Sequence, residues 1–175
     1  MTASTLIRPA DHEYAPFYAG YIARVPDGDI VTLLERQMGA TAAFVAGLSE
    51  AQADHRYAPG KWSIKEVIGH LADGERVFAY RALRFARGDQ TPLASFDENA
   101  WVPQSGCDRR SLEDLAEEFR AVRMATILLA RSLTSETAIR TGTASGKTIS
   151  VRALIYTIAG HELHHLAILR ERYLG

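Results

Sequence analysis

The chain has 175 residues, of which 47% are hydrophobic and 23% charged, with a formal net charge of −1 at pH 7. This composition predicts a soluble globular protein in which residues 1–175 form a single domain around one core. A balanced charge without a basic stripe argues against a nucleic-acid partner, and the lack of a long apolar run argues against a membrane span.

The cysteine content and the N-terminal residues bear on the compartment. A lone cysteine, Cys107, cannot form an intramolecular disulfide, which favours a reducing environment. The stretch MTASTLIRPADHEYAPF lacks the basic start and continuous apolar core of a secretory signal. We therefore expect a cytoplasmic protein.

The first two predicted helices have clear start signals. Residues 29–48 repeat apolar side chains at helical spacing and follow Asp29, a good N-cap. In the second helix, Ser63 and Glu66 make an S-x-x-E capping box, and Gly88 is a natural C-terminal stop.

Two more helices follow in the second half of the chain. Residues 111–133 begin at the N-cap Ser111, and residues 150–174 begin at the N-cap Ser150. Four long helices with little strand signal predict an all-α protein, a four-helix bundle.

The connections between the helices differ in character. Residues 139–149 are rich in threonine and glycine and predict a turn or short hairpin. Residues 89–110 are long for a loop and carry Phe96, Asn99 and Trp101. Such a loop is usually functional, so we predict that it forms a lid over the site, with Asn99 and Trp101 as substrate-binding residues. The alternative is a plain crossover between helices.

The last predicted helix contains the motif HELHH at 161–165, which fits H-E-x-x-H. His161 and His165 lie four residues apart and share one helix face, so both can bind one metal ion. Zinc proteases take a third ligand from downstream, but here the acidic candidate Glu171 points roughly 120° away from His165. The protease interpretation fails on this geometry, and His70 on the second helix is the best third ligand.

Three charged residues are candidates for roles around this metal site. Asp73 lies three residues after His70 and is a candidate base, as is Glu162 by analogy with the zinc proteases. Arg81 returns to nearly the same helix face as His70 and is a candidate for binding an anionic substrate group. Asp73 and Arg81 also have an ordinary interpretation as solvated surface charges, and the role of Glu162 depends on a substrate geometry that this fold need not reproduce.

Two segments resemble the DinB-like family of YfiT-like metalloenzymes: KWSIKEVIGHLADGERVFAYRALR at 61–84 and SVRALIYTIAGHELHHLAILRERYL at 150–174. The resemblance implies an up-down-down-up four-helix bundle, commonly a homodimer. It also implies that His70, His161 and His165 bind the metal. Relatives in this family act as thiol S-transferases that use bacillithiol, mycothiol or glutathione.

The predicted function follows from the metal. A divalent ion held by three neutral imidazoles lowers the pKa of a bound water or thiol, which serves hydrolysis and thiol transfer alike. The metal does not choose between them, but the resemblance to the DinB-like family implies a thiol S-transferase acting on small electrophiles with a low-molecular-weight thiol. The alternatives are a small-molecule hydrolase and a non-catalytic binding bundle. Zinc or nickel is the expected metal, and iron or manganese also suits three histidines.

The apolar surface of the first and third predicted helices bears on oligomeric state. Phe44, Val45, Ile127 and Leu128 add apolar surface beyond the main stripes of these helices. A two-fold dimer would bury this surface, so we predict a homodimer.

Overall fold

The computed structural model describes residues 6–175. In chain order its helices are α1 (Pro16–Ile22), α2 (Ile30–Ala46), α3 (Glu50–Ala53), α4 (Ile64–Ala86), α5 (Glu98–Trp101), α6 (Leu112–Arg131), α7 (Ser135–Ala138) and α8 (Val151–Ile168). Two strands, β1 (Thr141–Ala144) and β2 (Lys147–Ser150), precede α8, and a π-helical turn at Leu169–Tyr173 follows it. Among these residues no helix is long and apolar enough to cross a membrane.

The predicted caps start the long helices. The Asp29 carboxylate accepts a hydrogen bond from the Thr32 amide at 2.7 Å, and Ser63 with Glu66 forms the capping box of α4. Gly88, with φ +79°, ends that helix in the left-handed conformation that glycine tolerates. The last predicted helix is too long, because α8 gives way to the π-helical turn at Leu169.

Helices α4 and α6 run parallel. Near their N-terminal ends Gly69 lies against Leu115, and further along both helices Glu75 pairs with Arg123. Parallel neighbours need a connection that returns along the bundle, which explains the length of the chain between α4 and α6.

The other two long helices complete the topology. Helices α2 and α8 are parallel, since Gln37 donates to the Ala159 carbonyl at 2.9 Å and Thr41 contacts Glu162 one turn further on. Helix α8 is antiparallel to α4, because His165 meets His70 whereas the earlier His161 also meets Phe78. The bundle is therefore up-down-down-up.

A layer of buried polar side chains divides the core. One apolar cluster gathers around Leu34, Phe85 and Leu154, and a second gathers around Ile68, Leu115 and Phe119. Between them lie the buried polar residues Gln37, Thr41, His70, Glu75, Arg123, His161 and Glu162. Burial of so many polar groups requires that they partner one another or a ligand.

The predicted hairpin is present and holds the long connection. Strands β1 and β2 pair antiparallel, from Thr141 opposite Ser150 to Ala144 opposite Lys147. The Leu93 amide donates to Thr143 O at 2.9 Å, and the Ser145 amide donates to Leu93 O at 3.0 Å. The hairpin thus fixes the first part of the connection beside the bundle.

The apolar surface predicted for a dimer is smaller than expected. Val45 and Ile127 are buried in the two core clusters, so that part of the prediction is wrong. Phe44 is half-buried, and Leu128 is 56% exposed. A helix of a globular protein buries an apolar stripe about a third of its circumference wide. Val45 and Ile127 belong to these stripes and are therefore part of the core.

Candidate metal centre

Three histidine side chains converge where α4 faces α8. The ligand nitrogens of His70, His161 and His165 all lie within 4.8 Å of one another. The Nε2 atom of His161 is 3.1 Å from Nε2 of His70 and 3.1 Å from Nε2 of His165. His70 and His161 are buried and His165 is half-buried, so the cluster opens on one side.

The donor set fits a divalent ion. Two nitrogens at zinc-binding distance of about 2.0–2.1 Å and a tetrahedral angle lie roughly 3.3 Å apart, close to the two observed separations. Burial lowers the pKa of His70 to about 4 and that of His165 to about 3, and it holds the pKa of His161 well below its usual range. All three imidazoles are therefore neutral at pH 7 and have lone pairs to offer.

Small residues allow the elements around His161 to approach closely. A Cβ on Gly74 would lie 3.2 Å from Cε1 of His161, and a Cβ on Gly160 would lie 2.0 Å from the Tyr21 carbonyl oxygen. Helix α1 can therefore lie directly on α8. The Tyr21 ring packs edge-on against His161 at 5.4 Å between centroids, and Phe78 packs against it at 5.8 Å.

A cavity of about 490 Å³ leads away from the histidines. Its aromatic walls come from α1, α4 and the two connections that flank α4: Phe17, Tyr18, Tyr21, Trp62, Phe78 and Phe96. Its polar lining includes Arg81, Glu98 and Lys147. A cavity of this size, mostly apolar with a few polar groups, suits a small organic molecule.

Glu162 does not line this cavity, where a role as a base would require it to be. Its carboxylate points into the bundle, where it contacts the Thr41 hydroxyl and lies 2.7 Å from Nη1 of Arg123. Arg123 also donates to both oxygens of Glu75. Neighbouring residues on a helix diverge by about 100°, so His161 can face the cavity while Glu162 faces the core.

Asp73 is also displaced from the cavity. Its carboxylate lies 3.3 Å from Arg76, beside Glu118 of α6. Burial raises its pKa, and Arg76 partly offsets that effect. Asp73 is not among the residues that line the cavity, so the structure does not bring this predicted base to the histidines.

Arg81 is buried and lines the cavity, as a substrate-binding role requires. Its Nη2 donates to Ala94 O at 2.7 Å and to Ser145 Oγ at 3.0 Å. Burial lowers the pKa of this guanidinium from its usual value. The alternative of an ordinary surface arginine is thereby excluded.

The long connection contributes to the cavity through Phe96, as predicted, and through Glu98, which was not predicted. Trp101 is 45% exposed and packs on Phe96 at 5.0 Å between ring centroids. Asn99 lines a smaller adjoining pocket of about 230 Å³. His165 borders both pockets.

The sequence interpretation missed several residues that surround the histidines. Tyr21 packs on both His161 and His164, and Trp62 lies 4.9 Å from His70 between ring centroids. His164 also lines the cavity. The aromatic residues flanking the second predicted helix were the available signal, but only packing shows which ring reaches a histidine.

The fold and the site together define an up-down-down-up helical bundle with a buried three-histidine cluster suited to a divalent metal. The model of the DinB superfamily matches residues 33–169. The chain belongs to the DinB superfamily.

Similar proteins agree with this assignment. The chain is 26% identical over 129 residues to a protein of Oceanobacillus iheyensis, across 72% of this chain and 73% of that one. It is 27% identical over 128 residues to a protein of Bacillus pumilus, across 71% of each chain. Both carry the name "Putative metal-dependent hydrolase". The solved structure of YfiT from Bacillus subtilis, a four-helix bundle, superposes with a TM-score of 0.74 at 21% identity, over 81% of this chain and 82% of YfiT.

Proposed function

We propose that this protein is a metal-dependent enzyme that activates a small nucleophile at His70, His161 and His165. The observation that carries the proposal is the convergence of three neutral imidazoles at one end of an organic-sized cavity. A divalent ion supplies positive charge that lowers the pKa of the water or thiol it binds. Zinc or nickel is the proposed ion, and iron or manganese suits the same ligands.

We further propose thiol S-transfer as the reaction. Both predicted carboxylate bases, Asp73 and Glu162, lie outside the cavity, and a thiol needs less help from a base than water does because its pKa is near 8.5. Two pockets, of about 490 and 230 Å³, adjoin at His165 and Trp62. Such a pair suits a reaction that joins two substrates.

The proposed step joins the thiol to the second substrate. The thiol sulfur forms a bond to an electrophilic carbon of the second substrate, whose leaving group departs with the electrons of the broken bond. The thiol proton passes to His164 or to solvent. His164 lines the cavity, which places its imidazole within reach of the reacting groups.

Hydrolysis of a small molecule is the second candidate. It is favoured by the name shared by the relatives from Oceanobacillus iheyensis and Bacillus pumilus. Water would take the place of the thiol, and Glu98, which lines the cavity, is the carboxylate available to accept its proton.

Metal content tests the three-histidine site, which thiol transfer and hydrolysis both require. Untagged protein purified without chelator should contain about one divalent ion per chain by elemental mass spectrometry. His161→Ala should lose it, whereas the matched control His55→Ala, in the loop before α4, should keep it. Equal metal content in the two variants would rule out the three-histidine site.

Activity distinguishes the two reactions. We expect the metal-loaded protein to join a low-molecular-weight thiol to monochlorobimane and to leave p-nitrophenyl acetate largely intact. The reverse result would identify a hydrolase. No turnover in either assay, with metal bound, would support the non-catalytic binding bundle.

We also propose that the protein forms a homodimer. Helices α2 and α6 border a groove of about 870 Å³, and Met124 and Leu128 are exposed on α6. A second copy would remove this apolar surface from water. Sedimentation should give a dimer that Leu128→Glu weakens, and a monomeric wild type at micromolar concentration would disprove the dimer.

Two further proposals concern the whole chain. We propose a cytoplasmic location, since Cys107 is a free thiol, and cell fractionation tests it. We propose that residues 1–175 fold as one domain, which predicts a single cooperative unfolding transition. Two separate transitions would contradict the second proposal.

A further inference from the structure

Arg81 is a buried cation without an acidic partner. It is 2% exposed, and its hydrogen bonds go to the neutral acceptors Ala94 O and Ser145 Oγ. Within residues 6–175 no carboxylate forms an ion pair with it. The other strongly buried cations do have such partners: Lys65 contacts Glu50 and Asp54, and Arg123 contacts Glu75 and Glu162. A buried charge without a counter-charge is costly, which points to a negative charge supplied from outside the chain.

Both hydrogen bonds of this guanidinium use a single nitrogen. Nη2 donates to Ala94 and to Ser145, whereas Nε and Nη1 make no hydrogen bond to the described residues. Ser145 stands at the hairpin tip with φ +54°, a conformation uncommon for a non-glycine residue. The hairpin therefore orients the guanidinium through a neutral group and leaves Nε and Nη1 free to donate to an anion.

Arg81 and the histidines occupy different parts of the same cavity. Arg81 follows His70 by eleven residues on α4, which corresponds to about 16 Å along the helix axis. Between them lie two apolar rings. Phe96 is 5.8 Å from the Arg81 guanidinium and 6.3 Å from Phe78, which is in turn 5.8 Å from His161.

The remaining charges of the cavity fit an anion at this end. Lys147 lines the cavity from β2, two residues after Ser145. Glu98 also lines it. Burial and the negative charge of Glu98 both raise the pKa of Tyr21. The hydrogen bonds of Arg81 go to Ala94 and Ser145, and among residues 6–175 none goes to Glu98.

We propose that the substrate carries a carboxylate that binds Arg81, joined by an apolar segment to the group that reacts at the histidines. This inference rests on the proposed function for the reacting end only. Phe78 and Phe96 would contact the apolar segment, and Lys147 would add positive charge at the carboxylate end. A free N–H of the guanidinium, at Nη1 or Nε, would donate one charge-assisted hydrogen bond to the carboxylate.

The test compares two probes that differ in charge: 4-phenylbutyrate and 4-phenylbutanamide. Titration calorimetry on the metal-loaded protein should show the carboxylate binding at least about tenfold more tightly, the effect of one good charge-assisted hydrogen bond. Arg81→Gln should reduce that preference to about twofold or less. The control Arg84→Gln, which changes an arginine of the same helix paired with Asp89, should leave it unchanged.

Two outcomes would overturn the proposal. One is equal affinity of wild type for the two probes, and the other is an undiminished carboxylate preference in Arg81→Gln. A third probe, 3-phenylpropyl phosphate, separates anion classes, and binding more than tenfold tighter than the carboxylate would replace the carboxylate assignment. His161→Ala should keep the preference. His161→Ala should also lose the metal, so the two readouts are separable: a wild type that binds no metal but prefers the carboxylate would defeat only the proposed function.

A second measurement does not depend on the folding of Arg81→Gln. In ¹⁵N spectra of the wild type, the Nε–H signal of Arg81, assigned by its absence from Arg81→Lys, should shift with 4-phenylbutyrate and not with 4-phenylbutanamide. An Nε–H signal that neither probe shifts would also overturn the proposal.

Discussion

Replacement of Arg123 by methionine tests the buried polar layer. Arg123 is completely buried (0% exposed) and lies between Glu75 and Glu162, at 2.8 and 2.7 Å. Burial alone would lower its pKa, but the two carboxylates hold the pKa above its usual value. Methionine keeps an unbranched apolar stem and removes the guanidinium, which lies over the Phe119 ring, together with its positive charge. Two carboxylates would then remain in the core without a counter-charge.

The expected loss of stability is large. Removal of one partner from a buried ion pair costs about 3–5 kcal/mol, and the presence of two carboxylates favours the upper part of that range. A domain of ordinary stability unfolds with only about 5–15 kcal/mol. For a chain of this size the change corresponds to a fall in melting temperature of about 6–20 °C.

Urea denaturation at pH 7, followed by circular dichroism, measures this change. The matched control is Arg131→Met on the same helix, because Arg131 pairs with Glu35 at the surface. Exposed pairs contribute at most about 1 kcal/mol, so the control should be nearly as stable as wild type. Addition of Glu162→Gln to Arg123→Met should restore part of the loss. A loss below about 1 kcal/mol for Arg123→Met would refute the argument that the layer is held by this ion pair.

Three other predictions concern a close contact between helices, a buried ion pair and the wall of the cavity. Gly160→Ala should destabilise the fold by about 3 kcal/mol or more, because its Cβ would lie 2.0 Å from a backbone oxygen of α1. The control Gly39→Ala, whose Cβ would have nothing within 4 Å, should stabilise the fold by about 0.4–1 kcal/mol. Equal effects in thermal melts would contradict this prediction. Burial by itself would raise the pKa of Glu13. Hydrogen bonds from Arg152 and the Ala10 amide together outweigh burial and lower this pKa to about 2. The Glu13 carboxylate therefore stabilises the fold above about pH 4.5, and this contribution is lost as the pH falls toward 2. The loss of stability caused by Glu13→Gln, about 2–3 kcal/mol at pH 7, should vanish near pH 2. Phe96→Ala should weaken binding of 4-phenylbutyrate and leave the metal content unchanged. Loss of metal in that variant would show that the connection between α4 and α6 supports the metal site and is not only a cavity wall.

The sequence by itself determined the features that depend on near neighbours in the chain. Asp29, Ser63, Ser111 and Ser150 start the four long helices because each side chain reaches an amide only three residues away. The shared face of His161 and His165 follows from helical spacing for the same reason. The position of His70 could also be anticipated, since a histidine on an apolar helix face needs a partner.

Only the tertiary structure decided which way the charged side chains turn. Glu162 follows His161 directly, yet it faces Arg123 of α6 because the two helices pack at that level. Arg81 could have been a surface arginine, and only the return of the hairpin and the long connection over α4 buries it beside Ser145. Contacts between residues distant in the chain depend on how whole elements pack. No local pattern in the sequence encodes that packing, so these parts of the site required the fold.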